Sequence, residues 1–320
     1  MDKINYLGHP EQMAGAEFFR RDGGAGDGMK VCRVRNGLGL ECMITADRAA
    51  DVTELTFLGQ NMGYLSPCGH CSPNGALPFL ERFTAGFFTT CGLNNVGTPN
   101  VDQGENLPLH GTISNTPCHS LTAEHTAEGI RVKAVIFDSR PFGRNLKLER
   151  EYFFPADKNE FTLTDTVTNL GKTPEPYEIL YHCNMGYPLL DEDAILTIPS
   201  TSVTPRNDHA ATGLSDWSKV EKPTAGYEEM CFYHQMEKNA RVSLEQPKLG
   251  LGLALEYDSE NLPYFVQWKM MGQTMYVMGL EPANCAIEGR AALREAGKLA
   301  FLNPGQSNTH QVKFVFYRTK

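Results

Sequence analysis

The sequence predicts an all-β protein: a large antiparallel β-sandwich, with residues 1–320 as a single domain. Three observations predict it. Apolar and polar residues alternate with a period of two along much of the chain, the period at which strand side chains point to opposite faces. Clusters of Gly, Pro, Asn and Asp punctuate the alternating runs, as turns between strands require. Helical periodicity is weak and short, so no helices are available to flank a parallel sheet.

The elements follow in chain order. "DGGAGDG", residues 22–28, is glycine-rich. No helical pattern follows it, so it lacks the helix N-terminus that a phosphate-cradling loop needs, and it reads as a flexible turn. "ALPFLERF", residues 76–83, is the best helical candidate, at roughly two turns. "RVKAVIF" and "KLEREYFF" are strands by alternation. In "FTLTDTV", Phe161, Leu163 and Val167 share one face and Thr162, Thr164 and Thr166 the other. "VKFVFY" aligns Val312, Phe314 and Phe316 in the same way. No low-complexity linker or internal repeat divides the chain.

Composition bounds the function. A 41% hydrophobic and 21% charged chain has a globular balance. A net charge of −9 argues against a nucleic-acid partner, since such proteins gather positive charge. No run approaches the roughly 18 apolar residues of a membrane helix, and "MDKINYLGHPEQ" lacks the apolar core of a secretory signal. The nine cysteines are odd in number and scattered, which points to a reducing cytoplasm. "CGHC", Cys68 to Cys71, is the sole close pair, and no second pair of ligands sits at a matching spacing. No metal is expected there.

Three stretches carry chemistry. "NLPLHGTISNTP" presents His110 beside Gly111, with prolines that bar a helix through it. "YHCNMGYP" places His182 near Asn184, Gly186 and Pro188. "YVMGLEPAN" ends an apolar strand on Glu281. Desolvation there raises a carboxyl pKa and suits it to act as a base near neutrality. Each residue alone has an ordinary structural explanation; the three together are a candidate acid/base set.

With these motifs the chain resembles the aldose 1-epimerase (galactose mutarotase) superfamily, closest to a less characterised aldose 1-epimerase-like branch. "NLPLHG" is similar to that family's leucine-histidine-glycine motif, "YHCNMGYP" to its histidine-to-asparagine motif and "GLEPAN" to its glycine-x-leucine-glutamate motif, in the family order. "ADRAADVTEL" and "FLNPGQSNTHQVKFVFY" extend the likeness over roughly residues 30–317. The resemblance implies a cofactor-free isomerase acting on a small sugar or sugar derivative. Glu281 would be the base, His182 the acid, and His110 a hydrogen-bond donor to the ring oxygen or a neighbouring hydroxyl.

The chain departs from the best-known members of that family. They carry a sugar-contacting arginine ahead of the leucine-histidine-glycine motif, whereas "GFFTTCGLNNVG", residues 86–97, has none. Arg48 and Arg82 are the expected substitutes, with Asn184 and Trp268 as further substrate contacts. Strand alternation lets only one of Gln267 and Trp268 face a pocket. The familiar substrate-binding aspartate has no counterpart, so galactose is not implied. Two other functions fit the same residues: a carbohydrate-binding module without catalysis, and a metal-dependent sugar isomerase using His110, His182 and Glu281 as ligands.

Overall fold

Three antiparallel sheets organise the chain in the computed structural model, which describes residues 3–319. The ends of the expected domain, residues 1–2 and 320, lie outside the described residues. The widest sheet has eight strands in the spatial order Ser120–Thr126, Gly129–Ser139, Asn145–Pro155, Glu160–Asn169, Ser307–Arg318, Leu251–Tyr257, Ala240–Gln246, Ile195–Thr197. A five-stranded sheet runs in simple chain order from Gly15–Arg20 to Gln60–Asn61. The third sheet has six strands: β1 (Phe88–Leu93), β2 (Glu178–Met185), β3 (Ser200–Pro205), β4 (Met230–Met236), β5 (Tyr264–Met271) and β6 (Tyr276–Ala283). Their spatial order is β3-β4-β5-β6-β2-β1.

The predicted alternation is what builds the sandwich. In Glu160–Asn169 the burial pattern alternates without a break, with Phe161, Leu163 and Val167 inside and the threonines outside. Val312, Phe314 and Phe316 are buried likewise. These side chains meet the inner face of the six-stranded sheet, where Phe88 stacks on Phe314 with ring centroids 6.1 Å apart. One continuous apolar core joins residues of all three large sheets, from Cys32 to Phe316.

Strands β6, β2 and β1 of the six-stranded sheet are buried on both faces, and this positions the site. In β2, Ile179, Tyr181, Cys183 and Met185 belong to the main core, whereas Leu180 packs in a second cluster on the opposite face. His182 and Asn184 share the parity of Leu180 and so point to that outer face. β6 divides the same way: Met278 and Leu280 face the core, Val277 and Ala283 the outside. Glu281 therefore looks outward too.

Two local expectations change in detail. Residues 76–83 form a single 3-10 turn, Phe79–Glu81, instead of a helix. A segment so short gains little from helix formation alone. Packing decides: Phe79 and Phe83 stack with centroids 5.0 Å apart over the outer face of the sheet. The glycine-rich stretch at 22–28 contains a 3-10 turn, Gly24–Gly26, between two strands of the five-stranded sheet. Among the described residues the α-helices are two short ones, Asp208–Thr212 and Arg290–Glu295. None is long and apolar enough to cross a membrane.

Candidate active site

His182 and Glu281 meet because β2 and β6 are hydrogen-bonded neighbours. The register pairs Leu180 with Ala283 and Cys183 with Leu280, which sets His182 directly across from Glu281. Directly opposed residues on one face are the closest cross-strand neighbours in a sheet. His182 Nδ1 lies 3.3 Å from Glu281 Oε1, and the two residues are 5% and 2% exposed. Gly279, opposite Trp268 on the same face, makes room for them. A Cβ at Gly279 would collide with the Glu281 carboxylate and come within 2.8 Å of Trp268 Cβ. The glycine two residues before the glutamate is thus a steric requirement of the pair.

His110 reaches the same place from a loop. Its backbone takes a positive φ of 57°, uncommon outside glycine, and Gly111 follows at 71°. Gly111 has no room for a side chain: a Cβ would lie 2.6 Å from the Asn95 carbonyl and closer still to that of Gly92. Backbone bonds pin the loop, from Gly92 N to His110 O and from His110 N to Gly97 O, each 3.0 Å. The Gly97 amide donates to His110 Nδ1 at 3.3 Å. A neutral ring accepting at Nδ1 carries its proton on Nε2, free to donate. The His110 and His182 rings are 5.5 Å apart.

The three residues line one cleft of about 300 Å³, together with Phe79, Phe83, Leu109, Trp268 and Arg206 among others. That volume is at the small end for ligand sites. The walls are mainly apolar, and this sets the electrostatics. Burial lowers the His182 pKa to about 4, partly opposed by a side-chain interaction with Asn184. Burial lowers His110 to about 3, helped by the nearby His182 and Arg206. Glu281 is raised well above the ordinary carboxyl value by burial and by the Glu229 charge, with Arg206 pulling the other way. His182 Nδ1 and Glu281 Oε1 are both buried without a well-aligned hydrogen bond. Such unsatisfied polar atoms cost stability and leave donor and acceptor capacity open at the cleft.

Of the other sequence candidates, Trp268 enters the cleft, its ring 5.2 Å from that of His182 and its Nε1 donating to Glu229 at 2.6 Å. Gln267 faces the opposite side and donates to Trp217 O at 2.8 Å. Asn184 is fully buried behind His182; its Nδ2 donates to the His182 carbonyl at 2.8 Å and to Ala85 O at 3.2 Å. It holds the β2 backbone in place and does not line the cleft. Arg48 and Arg82 do not enter it either. The buried Arg48 guanidinium is committed to Cys71 O and Sγ and to Asn115. Arg82 reaches Ser72 O at 3.4 Å. Both line a separate, small cavity that shares Phe79 and Phe83 with the cleft.

The arginine that does enter the cleft, Arg206, follows β3 in "TPRND", where no motif marks it. Glu229, Thr98, Met275 and Ile287 were equally silent in the sequence, because loops distant in the chain bring them together. Cys68 and Cys71 are free thiols, as are the other seven cysteines. Among the described residues, no group of three or more His, Cys, Asp or Glu side chains is arranged to hold a metal ion.

The family described as "Domain of unknown function (DUF4432)" matches residues 26–315. No curated protein matches the sequence. Among solved structures, one from Klebsiella pneumoniae, named as a "putative aldose 1-epimerase", is similar with a TM-score of 0.87 and 25% identity, over 95% of this chain and 83% of that one. A galactose mutarotase-like protein from Clostridium acetobutylicum has a TM-score of 0.68 at 15% identity, over 96% of this chain and 100% of its own. A galactose 1-epimerase from Lactobacillus acidophilus has 0.67 at 15%, with the same coverage. The fold is that of the galactose mutarotase-like proteins, a β-sandwich as the alternation predicts.

Proposed function

The chain belongs to the family described as "Domain of unknown function (DUF4432)", and we propose that it is a sugar mutarotase that interconverts anomers by acid/base ring opening. The observation that carries the reading is the His182–Glu281 pair, 3.3 Å apart on the floor of a cleft that His110 also lines. The names of the similar solved structures, aldose 1-epimerases and galactose mutarotase-like proteins, support it.

Glu281 takes the proton of the anomeric hydroxyl. His182 gives a proton to the ring oxygen as the C–O bond breaks. The open-chain aldehyde turns about its C1–C2 bond, and the reverse transfers close the ring on the other face. Both transfers need a group within hydrogen-bond reach of one sugar ring. His110, neutral and with its proton on Nε2, donates to the ring oxygen or a neighbouring hydroxyl. Trp268 offers an aromatic face to the C–H side of the sugar. The pair works with one proton between its two members: with two, Glu281 cannot accept; with none, His182 cannot donate. Burial favours the one-proton pair, which carries no net charge, and the opposite shifts of the two groups rest that proton on Glu281; it crosses the 3.3 Å contact to His182 Nδ1 before Glu281 can act as the base.

The test is an NMR saturation-exchange screen of anomer interconversion over a panel of aldoses, sugar acids and sugar phosphates. Catalysed exchange of at least one member, lost in Glu281→Gln, is the expected result. Binding without exchange by wild-type protein would make this a carbohydrate-binding module. Activity lost on chelation and restored by a divalent metal would make it a metal-dependent isomerase.

A further inference from the structure

Arg206 has no function in the scheme above, yet its guanidinium lines the cleft beside His110 and Trp268. Its position is fixed. Its backbone N–H donates to Cys231 O at 3.0 Å, and its Nη2 donates to Thr98 Oγ1 at 2.9 Å. Thr98 is itself held by an amide bond to Ile287 O at 3.1 Å. No carboxylate among the described residues lies within 4.0 Å of Arg206 to form an ion pair. Other inward-facing arginines have their guanidinium groups spent, Arg48 on Cys71 and Asn115 and four more on carboxylates. Arg144, Arg150, Arg290 and Arg294 each hold a carboxylate at 2.6–2.8 Å. Two acids share the cleft without an ion pair to Arg206: Glu229, exposed and accepting from Trp268 Nε1, and the buried Glu281.

Arg206 is half-exposed on the mainly apolar rim of the cleft with no carboxylate in ion-pair contact, so the free donors of its fork stay open and match an oxyanion in two-point geometry. A neutral sugar hydroxyl would leave that charge unanswered. The protein as a whole carries a net charge of −9 and gives an anion no general attraction, so recognition has to be local. We propose that Arg206, held by Thr98, is an oxyanion subsite, and that the preferred ligand is a sugar bearing a carboxylate, phosphate or sulfonate. This rests on the mutarotase reading and narrows its substrate class.

The experiment measures anomer exchange on matched sugars: an aldohexose, its uronic acid, its 6-phosphate and its 6-sulfonate. Wild-type protein, Arg206→Gln and Arg206→Lys are compared. One charged hydrogen-bonded contact predicts a wild-type kcat/KM roughly 10–100-fold higher for an anionic sugar than for the neutral one. The difference should be carried by KM, should collapse to near unity in Arg206→Gln and should be partly kept in Arg206→Lys. Which sugar leads separates carboxylate from phosphate and sulfonate. Equal wild-type rates on neutral and anionic sugars, or an equal loss on both in Arg206→Gln, would overturn the subsite and leave the mutarotase reading standing. If wild-type protein exchanges none of them, the mutarotase reading has failed. Calorimetric binding of the same four sugars then decides the subsite: anion-selective binding lost in Arg206→Gln supports it, and unselective or absent binding overturns it.

Discussion

The two faces of one sheet hold two buried polar clusters, and they differ in how completely their hydrogen bonds are made. On the inner face, Arg150 is 1% exposed and gives all five N–H donors to good acceptors. Its Nε and Nη2 bind Asp165 at 2.8 and 2.7 Å, Nη1 binds Asp51 and Ala49 O at 2.6 and 3.0 Å, and Nη2 also reaches Thr90 Oγ1 at 2.7 Å. Tyr181 adds a bond to Asp165 at 3.0 Å. On the outer face, one residue further along β2, His182 and Glu281 are as deeply buried but leave facing atoms without aligned bonds. This saturated network ties strands of all three large sheets together and has nothing left to offer a ligand. The unsaturated pair costs stability and leaves donor and acceptor capacity open at the cleft.

The comparison breaks most plainly through Arg150. Arg150→Met leaves Asp51 and Asp165 buried without a counter-charge, which should cost about 3–5 kcal/mol of unfolding free energy, enough to prevent folding in a marginal protein. Denaturant unfolding reads this. A loss below about 1 kcal/mol would mean that the cluster contributes little and that its saturation is incidental.

Glu281→Gln should do the reverse. It keeps the size and removes the charge, so kcat falls by about 10²–10⁴, while sugar affinity changes little. His182→Asn should lose a similar factor, and the double variant less than the product, because both act in one proton-transfer scheme. Glu281→Gln should also gain about 1–3 kcal/mol of stability at neutral pH, since the buried carboxyl no longer resists ionisation. Wild-type turnover in Glu281→Gln would remove "GLEPAN" from the mechanism.

Gly279→Ala sharpens the point without touching a titratable group. Its Cβ would push on the Glu281 carboxylate and on Trp268. A displacement of about 1 Å costs on the order of 10²-fold in kcat. Activity within twofold of wild type would show that the pair tolerates displacement and that the glycine serves only the strand.

How much of this was legible in the sequence follows from the same physics. The sandwich was, because alternation is a local signal and Phe161, Leu163, Val167, Phe314 and Phe316 all obey it. His110, His182 and Glu281 stood out because each sits among glycines and prolines that mark unusual backbone, and two of those glycines, Gly111 and Gly279, prove sterically necessary. The arginines were not legible. Arg48 and Arg82 lie near the right motifs in sequence, but their guanidinium groups are drawn to Cys71 and Ser72. Arg206 comes from a strand end with no pattern, and its role depends on which carboxylates are absent around it in space. The turn at Phe79–Glu81 was misread as helix for the same reason: contacts made across the fold outweigh a weak local preference.

The last prediction uses pH to separate the two members of the pair. Burial holds His182, His234 and His310 each at about 4, against about 6.5 in an unfolded chain. Between those values the unfolded state takes up protons that the folded state refuses. Stability must therefore fall as pH drops from about 6.5 to 4, by up to roughly 3 kcal/mol for each histidine. His182→Asn deletes one share, so its Tm should match wild type near pH 7 and fall less steeply on acidification. Glu281 is shifted in the opposite sense, upward by burial. The unfolded state releases that proton near pH 4.5 while the folded state keeps it, so its contribution is full at low pH and is lost as pH rises. The gain from Glu281→Gln should accordingly be near zero at pH 4.5 and grow toward pH 8. Thermal unfolding of the three proteins from pH 4.5 to 8 checks both slopes. Parallel curves for all three would mean that the pair is solvated in solution, and the contrast between the two faces of the sheet would disappear.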